Sequence, residues 1–198
     1  MNIWSSQNLG FAAAALSAIA AAGSWSAARR ANSTAEAVAR IEHARWQDDL
    51  TPLLALSLRH LGGGRFNLHV HLNGPDSLGG LDALSIEVVD DDMDHRVLNP
   101  GFGLTQEEAD AHIWGPFRFM PGVDGADERG RSVPPVVLMT GRGRPFAMER
   151  TAPGHWMEGP VADGWQQRYV GMPIRLRVTC RRGDSMWILA REVENPPL

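Results

Sequence analysis

The sequence contains no lysine, since all 19 of its basic residues are arginine. Without lysine the chain cannot form a Schiff base with a substrate carbonyl or supply the lysine of a phosphate-binding loop. Cysteine is represented by Cys180 alone, which excludes an intramolecular disulfide and fits a reducing compartment. The formal net charge of −4 provides no overall positive field for nucleic acid, so we expect no nucleic-acid partner.

Short catalytic motifs are missing as well. The sequence has no G-x-S-x-G, H-E-x-x-H, C-x-x-C or G-x-x-x-x-G-K-[ST]. The run Gly183–Met186 resembles the nucleophile motif of one lipase class, but no histidine follows it, and a turn between two final strands explains it better. We therefore predict a protein that is not an enzyme and that holds no cofactor.

Charge is absent from the first 28 residues, and the first charged side chain is Arg29. Residues 9–28 are uncharged and rich in alanine, and a helix of that length spans about 30 Å, the thickness of a bilayer core. We predict a single membrane span over residues 9–28, within a long N-terminal helix that continues to about residue 50. Its most apolar members are Leu9, Phe11, Leu16, Ile19 and Trp25.

The orientation of this segment follows from Arg29 and Arg30, which come after it, while no arginine comes before it. The positive-inside rule then places the C-terminal domain in the cytoplasm. Two other interpretations stay open. A signal peptide usually carries positive charge before its apolar stretch, and Met1–Asn8 has none. An alanine-rich helix could instead pack in a soluble oligomer, and residues 31–50 would also permit homo-oligomerisation.

The apolar period changes from helical to alternating at Leu53. Arg65–Asn73 has the cleanest alternation in the chain, as expected for a half-buried strand. Together with Gly- and Pro-rich turns, this pattern predicts an antiparallel β-sandwich-like domain over residues 51–198, so the fold class is mainly β. The expected strands are 53–60, 65–73, 83–89, 113–120, 133–139, 146–150, 174–182 and 187–193.

Smaller features refine this picture. Thr105–Glu108 has the pattern of a capping box and predicts a short helix toward His112, and a second short helix is expected near 163–169. Cys180 lies in an alternating run and is expected to be buried and inert. We expect the tryptophans at positions 114, 156, 165 and 187 to pack in the core or cap its ends.

No residue set has the spacing of an established metal site. The acidic turn offers weak calcium candidates, because carboxylates at a loop tip are suitable oxygen ligands, although adjacent aspartates more often decorate a solvated turn. Those candidates are Asp90, Asp91, Asp92 and Asp94. His69 and His71 share one strand face, with His60 expected across the hairpin, but solvated histidines on a polar face explain them equally well.

Several stretches resemble a group of uncharacterised actinobacterial proteins. They are 107–116 with its Trp-Gly-Pro end, Pro121–Asp127, Gly154–Met157, and 173–182 with its Thr-Cys-Arg-Arg end. The resemblance covers most of the chain from about Leu50, and the alanine-rich N-terminal helix is similar too. It implies a single domain and a bacterial source with a high-GC genome, and it carries over no catalytic residue.

The leading functional hypothesis is a membrane-anchored interaction or scaffold module with an unidentified protein partner. The first alternative is a β-sandwich that binds a small molecule or carbohydrate, with or without calcium. The second is a soluble structural assembly subunit whose alanine-rich helices pack together. An anchored module predicts association with membranes, whereas an assembly subunit predicts large oligomers without lipid.

Overall fold

The computed structural model describes Val38, Asp49–Val97 and Leu104–Asn195. The chain divides into two compact units, Met1–Asp49 and Leu50–Leu198. Among the described residues, no helix combines the length and the apolar character that a membrane crossing requires. The residues predicted to form a membrane span and to set its orientation lie outside the residues that the structure describes. They are Leu9, Phe11, Leu16, Ile19, Trp25, Arg29 and Arg30.

The second unit is built from two antiparallel four-stranded sheets, which confirms the mainly β, sandwich-like fold. Sheet 1 has the strand order β1-β2-β6-β4, and sheet 2 has the order β5-β3-β7-β8. The strands are β1 (Leu53–Gly62), β2 (Arg65–Gly74), β3 (Gly80–Val89), β4 (Phe117–Phe119), β5 (Ser132–Met139), β6 (Gly143–Arg150), β7 (Ile174–Arg182) and β8 (Ser185–Val193).

Alternation along the strands produces the core. On β2, Phe66, Leu68, Val70 and Leu72 are buried, because side chains two apart point to the same face of a strand. Strand β7 repeats the pattern in sheet 2, and its inward residues include Cys180, which has no exposed surface. Cys180 is buried, as expected, and burial raises the pKa of its thiol to about 11, so the thiol stays protonated at neutral pH.

The predicted strand 113–120 is reduced to Phe117–Phe119. The preceding residues form a loop, in which the Trp114 backbone N–H donates to the Asp90 carboxylate at 2.9 Å. The Asp91 N–H donates in turn to the Trp114 carbonyl at 2.7 Å. These bonds pair the backbone N–H and C=O groups of Trp114 without a neighbouring strand. The first part of the predicted strand therefore lies outside the sheet.

In the described part of the chain, three short α-helices lie in the connections: α1 (Gln106–Ala111), α2 (Pro160–Asp163) and α3 (Trp165–Arg168). A 3-10 turn, Asp76–Leu78, lies between β2 and β3. The predicted capping box at the start of α1 is confirmed. The Thr105 hydroxyl accepts from the Glu108 N–H at 3.2 Å, and the Glu108 carboxylate accepts from the Thr105 N–H at 2.9 Å. The helix expected near 163–169 is present as α2 and α3 on either side of Gly164.

The strand directions separate two ends of the sandwich. The β1–β2 turn and the long connections 90–116 and 151–173 leave from one end. The turns between β5 and β6 and between β7 and β8 lie at the other end. The side chains of the long connections lie outside the two sheets, and they form the candidate site.

Candidate functional site

Two long connections pack together into an aromatic cap, defined here as Trp114, Trp156, Trp165 and Tyr169. Trp114, Trp165 and Tyr169 are buried, and Trp156 packs against them while partly exposed. The cap forms an apolar cluster separate from the core between the sheets. The expectation that tryptophans 114, 156, 165 and 187 pack in or around the core is met, since Trp187 packs on the core between the sheets.

The buried hydroxyl of Thr151 ties the two connections together. It donates to the Gly115 carbonyl and accepts from the Trp165 indole N–H at 3.0 Å. The Trp114 indole N–H donates to the Ala109 carbonyl at 2.8 Å, which joins α1 to the cap. Each buried polar atom named here therefore has a partner, as a rigid cap requires.

His112 lies among three indoles. Its ring makes edge-on contacts with Trp114, Trp156 and Trp165 at centroid distances of 4.9, 5.4 and 5.2 Å. Its Nε2 atom is buried and has no hydrogen-bond partner among the described residues. The contacts with the three rings provide only weak compensation for that missing bond.

Burial lowers the pKa of His112. The Asp90 carboxylate opposes this effect, while Arg118, Arg131 and His95 reinforce it. The imidazole is therefore neutral at pH 7, as its apolar surroundings require.

A cleft of about 350 Å³ opens beside His112, between α1, the strand β4 and the start of the β6–β7 connection. The side chains around it combine both signs of charge, two imidazoles and one indole. They are Glu107, Glu108, Ala111, His112, Ile113, Arg118, Arg129, Thr151, Ala152, His155 and Trp156. A concave site with a few convergent polar groups and an aromatic wall is the usual form of a small-molecule site.

Two of the charged groups around the cleft are already engaged within the protein. Arg118 pairs with Glu149 at 2.7 Å, on the outer face of sheet 1. Hydrogen bonds from the Thr105 N–H and hydroxyl hold the pKa of Glu108 below its ordinary value. These two side chains therefore shape the cleft more than they offer free charge to a ligand.

Two other charges at the cleft are free. Within the described ranges, neither the Glu107 carboxylate nor the Arg129 guanidinium has a hydrogen-bond or ion-pair partner, and both residues are exposed. Arg129 is placed by Asp127, whose carboxylate accepts from the backbone N–H groups of Arg129 and Arg131 at 2.9 and 3.0 Å. The cleft thus presents one free anion and one free cation from separate elements.

Trp156 is positioned by Gly154. A Cβ atom added to Gly154 would lie 2.6, 2.7 and 2.8 Å from three atoms of the indole, distances that side chains do not tolerate. The indole therefore folds back onto the glycine backbone and forms one wall of the cleft. His155, between them in the chain, meets the indole edge-on at 5.0 Å.

The four aspartates proposed as calcium candidates bind different protein groups. Asp90 makes two bonds of 3.1 Å to the Arg131 guanidinium, and Asp91 accepts from His95 at 2.5 Å and from the Tyr169 hydroxyl at 3.1 Å. Asp92 pairs with Arg175, and Asp94 with Arg96. No cluster of three or more His, Cys, Asp or Glu suited to a metal ion occurs in the part of the chain that the structure describes.

The register of the first hairpin separates His60 from the other two histidines of that hairpin. His69 and His71 lie opposite Ser57 and Ala55, on the outer face of sheet 1. His60 lies opposite Phe66 and stacks on its ring at 4.6 Å, on the inward face. A shared metal site would need all three on one face, and the register of the hairpin prevents this.

Sequence patterns did not identify the residues of the cleft. Glu107, Arg129 and His155 are distant in the chain and carry no common motif. The capping box at Thr105–Glu108 and the Gly-His-Trp run at 154–156 were visible, but nothing in either one indicates that the two adjoin. Their proximity results from the packing of two connections, a contact that local patterns do not encode.

Comparison with known proteins gives no further guide. No protein-family model matches the chain, and no curated protein and no solved structure is detectably similar to it.

Proposed function

We propose that this chain is a non-enzymatic binding module whose sandwich presents the cleft to a small saccharide. The observation that carries the proposal is that the free side chains of Glu107 and Arg129 and the indole of Trp156 line the same cleft of about 350 Å³. That volume lies at the lower end of the range for small-molecule sites, about 300–1,000 Å³. It suits a ligand the size of a monosaccharide.

The chemistry of these groups suits a polyol. A carboxylate accepts hydrogen bonds and a guanidinium donates them, so adjacent hydroxyls of one sugar can satisfy Glu107 and Arg129. An indole offers a flat apolar surface for the C–H face of the ring. The cap is held by buried hydrogen bonds at Thr151 and Trp114, so little ordering accompanies binding.

The N-terminal segment completes the proposal. We propose that residues 9–28 anchor the module in a membrane, with Arg29 and Arg30 on the cytoplasmic side. The module would then bind its ligand at the inner membrane surface and pass this state to a protein partner. The anchor rests on the sequence pattern alone.

The test uses the purified full-length chain and a panel of glucose, galactose and N-acetylglucosamine. A ligand that binds the folded state raises the melting temperature by mass action, so we expect one of these sugars to produce a saturable increase. Glu107→Gln and Arg129→Gln each remove a charge-assisted bond, and each should weaken binding by about tenfold or more. Calorimetric titration measures the affinities.

Matched controls separate site effects from surface charge. Asp184→Asn and Arg142→Gln alter exposed charges in turns at the other end of the sandwich, and they should bind the sugar as the wild type does. The saccharide assignment is wrong if no sugar shifts the melting temperature. The site assignment is wrong if a sugar binds but the cleft variants bind it as tightly as the controls.

A further inference from the structure

Within the part of the chain that the structure describes, Arg150 is a partly buried cation without a counter-charge. It ends β6 with its side chain on the inward face, at the same end of the sandwich as the cap. No carboxylate among the described residues pairs with it, whereas its neighbour Glu149 points to the outer face and pairs with Arg118. Burial lowers the pKa of the Arg150 guanidinium below its ordinary value. Removing a charge from water without a partner is unfavourable, so the arrangement requires an explanation.

Two aromatic rings hold the guanidinium in place. Its central carbon lies 5.3 Å from the centre of the Phe66 ring and 5.0 Å from that of Phe117. These rings meet edge-on at 4.7 Å, and His60 stacks on Phe66 at 4.6 Å. The guanidinium carbon therefore lies over two π-systems, and none of the N–H donors of the group bonds to a described residue.

None of the Arg150 nitrogens is among the buried polar atoms that lack a partner, so its donors reach solvent. A planar fork of N–H donors matches the two oxygens of a carboxylate. The surrounding rings offer apolar surface to the methylene stem of an aspartate or glutamate. We propose that Arg150 is a docking position for a carboxylate of an acidic protein partner. This site is independent of the saccharide cleft, which Arg150 does not line.

The first experiment observes the Arg150 side chain directly. The Nε–Hε resonances of the full-length chain are recorded in chloride buffer, and sodium glutarate is then added at constant ionic strength. We expect a saturable shift at Arg150. The internal control is Arg144, which lies on the same strand over a single ring at 5.5 Å and is exposed, and which should not shift saturably. Sodium phosphate should have a weaker effect than glutarate.

The second experiment separates binding from structure. Arg150→Met replaces an uncompensated cation by an apolar chain of similar length, so the melting temperature without glutarate should stay level or rise, while the increase in melting temperature that glutarate gives the wild type by mass action should disappear. Arg150→Gln should also lose the response, and Arg144→Gln should retain it. An Arg150→Met protein that is stabilised but no longer responds to glutarate supports a binding role, because replacing an arginine with a structural role would destabilise the fold.

Three results would overturn the proposal. One is an Arg150 resonance that does not respond to glutarate. Another is an equal response to phosphate, which would make the position a general oxyanion site. The third is a fall of more than about 5 °C in the melting temperature of Arg150→Met, which would make the role structural. None of these outcomes depends on whether a sugar binds the cleft, so the two proposals fail separately.

Discussion

At the scale of single residues, the protonation of His112 should change the stability of the fold. Burial lowers its pKa in the folded state from an ordinary value of 6.5, so the unfolded chain takes up the proton first as the pH falls. This contribution to the free energy of unfolding is complete above pH 6.5 and is lost progressively below it. We expect the melting temperature to decrease between pH 7 and about 5.5.

The variant that isolates this effect is His112→Phe, which keeps an aromatic ring among the indoles and removes the titrating group. Its melting temperature should depend less on pH over that interval. His71→Phe, at an exposed position on the outer face of β2, should behave as the wild type does. The assignment fails if His112→Phe retains the full dependence. Measurements stay above pH 5, where paired carboxylates such as Asp127 do not yet contribute.

At the scale of elements, the strands and the short helices were predictable from the sequence, and the packing of the connections against one another was not. Alternation located β2 and β7 closely, because a strand with one buried face must repeat every two residues. The capping box located α1, because its hydrogen bonds are local. The strand predicted over 113–120 was too long, because Trp114 bonds to Asp90 and Asp91, which lie 24 and 23 residues earlier in the chain, and no periodicity records such contacts.

The β6–β7 connection makes a prediction at the same scale. Gly154→Ala forces the Trp156 indole away from the backbone, so sugar binding should be lost and stability should fall by about 1–3 kcal/mol from overpacking. Gly115→Ala is the matched control, because this glycine directly follows Trp114 of the cap and an added Cβ there meets nothing within 4 Å. Thermal unfolding and calorimetry would compare them. Equal behaviour of the two variants would show that Gly154 does not position the indole.

At the scale of the whole molecule, the sequence patterns predicted the class of the fold. The two proposed sites were not predictable, because they are formed where the long connections meet at one end of the sandwich. Two sheets that cover each other's apolar faces leave loops at either end, and the longer loops are at one end. The cleft and Arg150 are both at that end. A ligand at one and a partner at the other would therefore meet the same side of the molecule.

The proposed membrane anchor predicts where the protein is found in its cell. If residues 9–28 span a membrane, the full-length chain should sediment with membranes and resist extraction by carbonate. Leu16→Arg together with Ile19→Arg should release it, since each arginine near the centre of a span costs about 2.5–3.5 kcal/mol on insertion scales. Replacing Arg29 and Arg30 by glutamine should weaken the orientation without releasing the chain.

Protease added to intact cells then reports the side of the membrane. A cytoplasmic domain stays protected, whereas an external one is cleaved in the connections of the cap. Full-length protein in the soluble fraction as large particles would contradict the anchor and favour the assembly-subunit hypothesis, because the same alanine-rich surface that meets lipid in one case packs against other helices in the other.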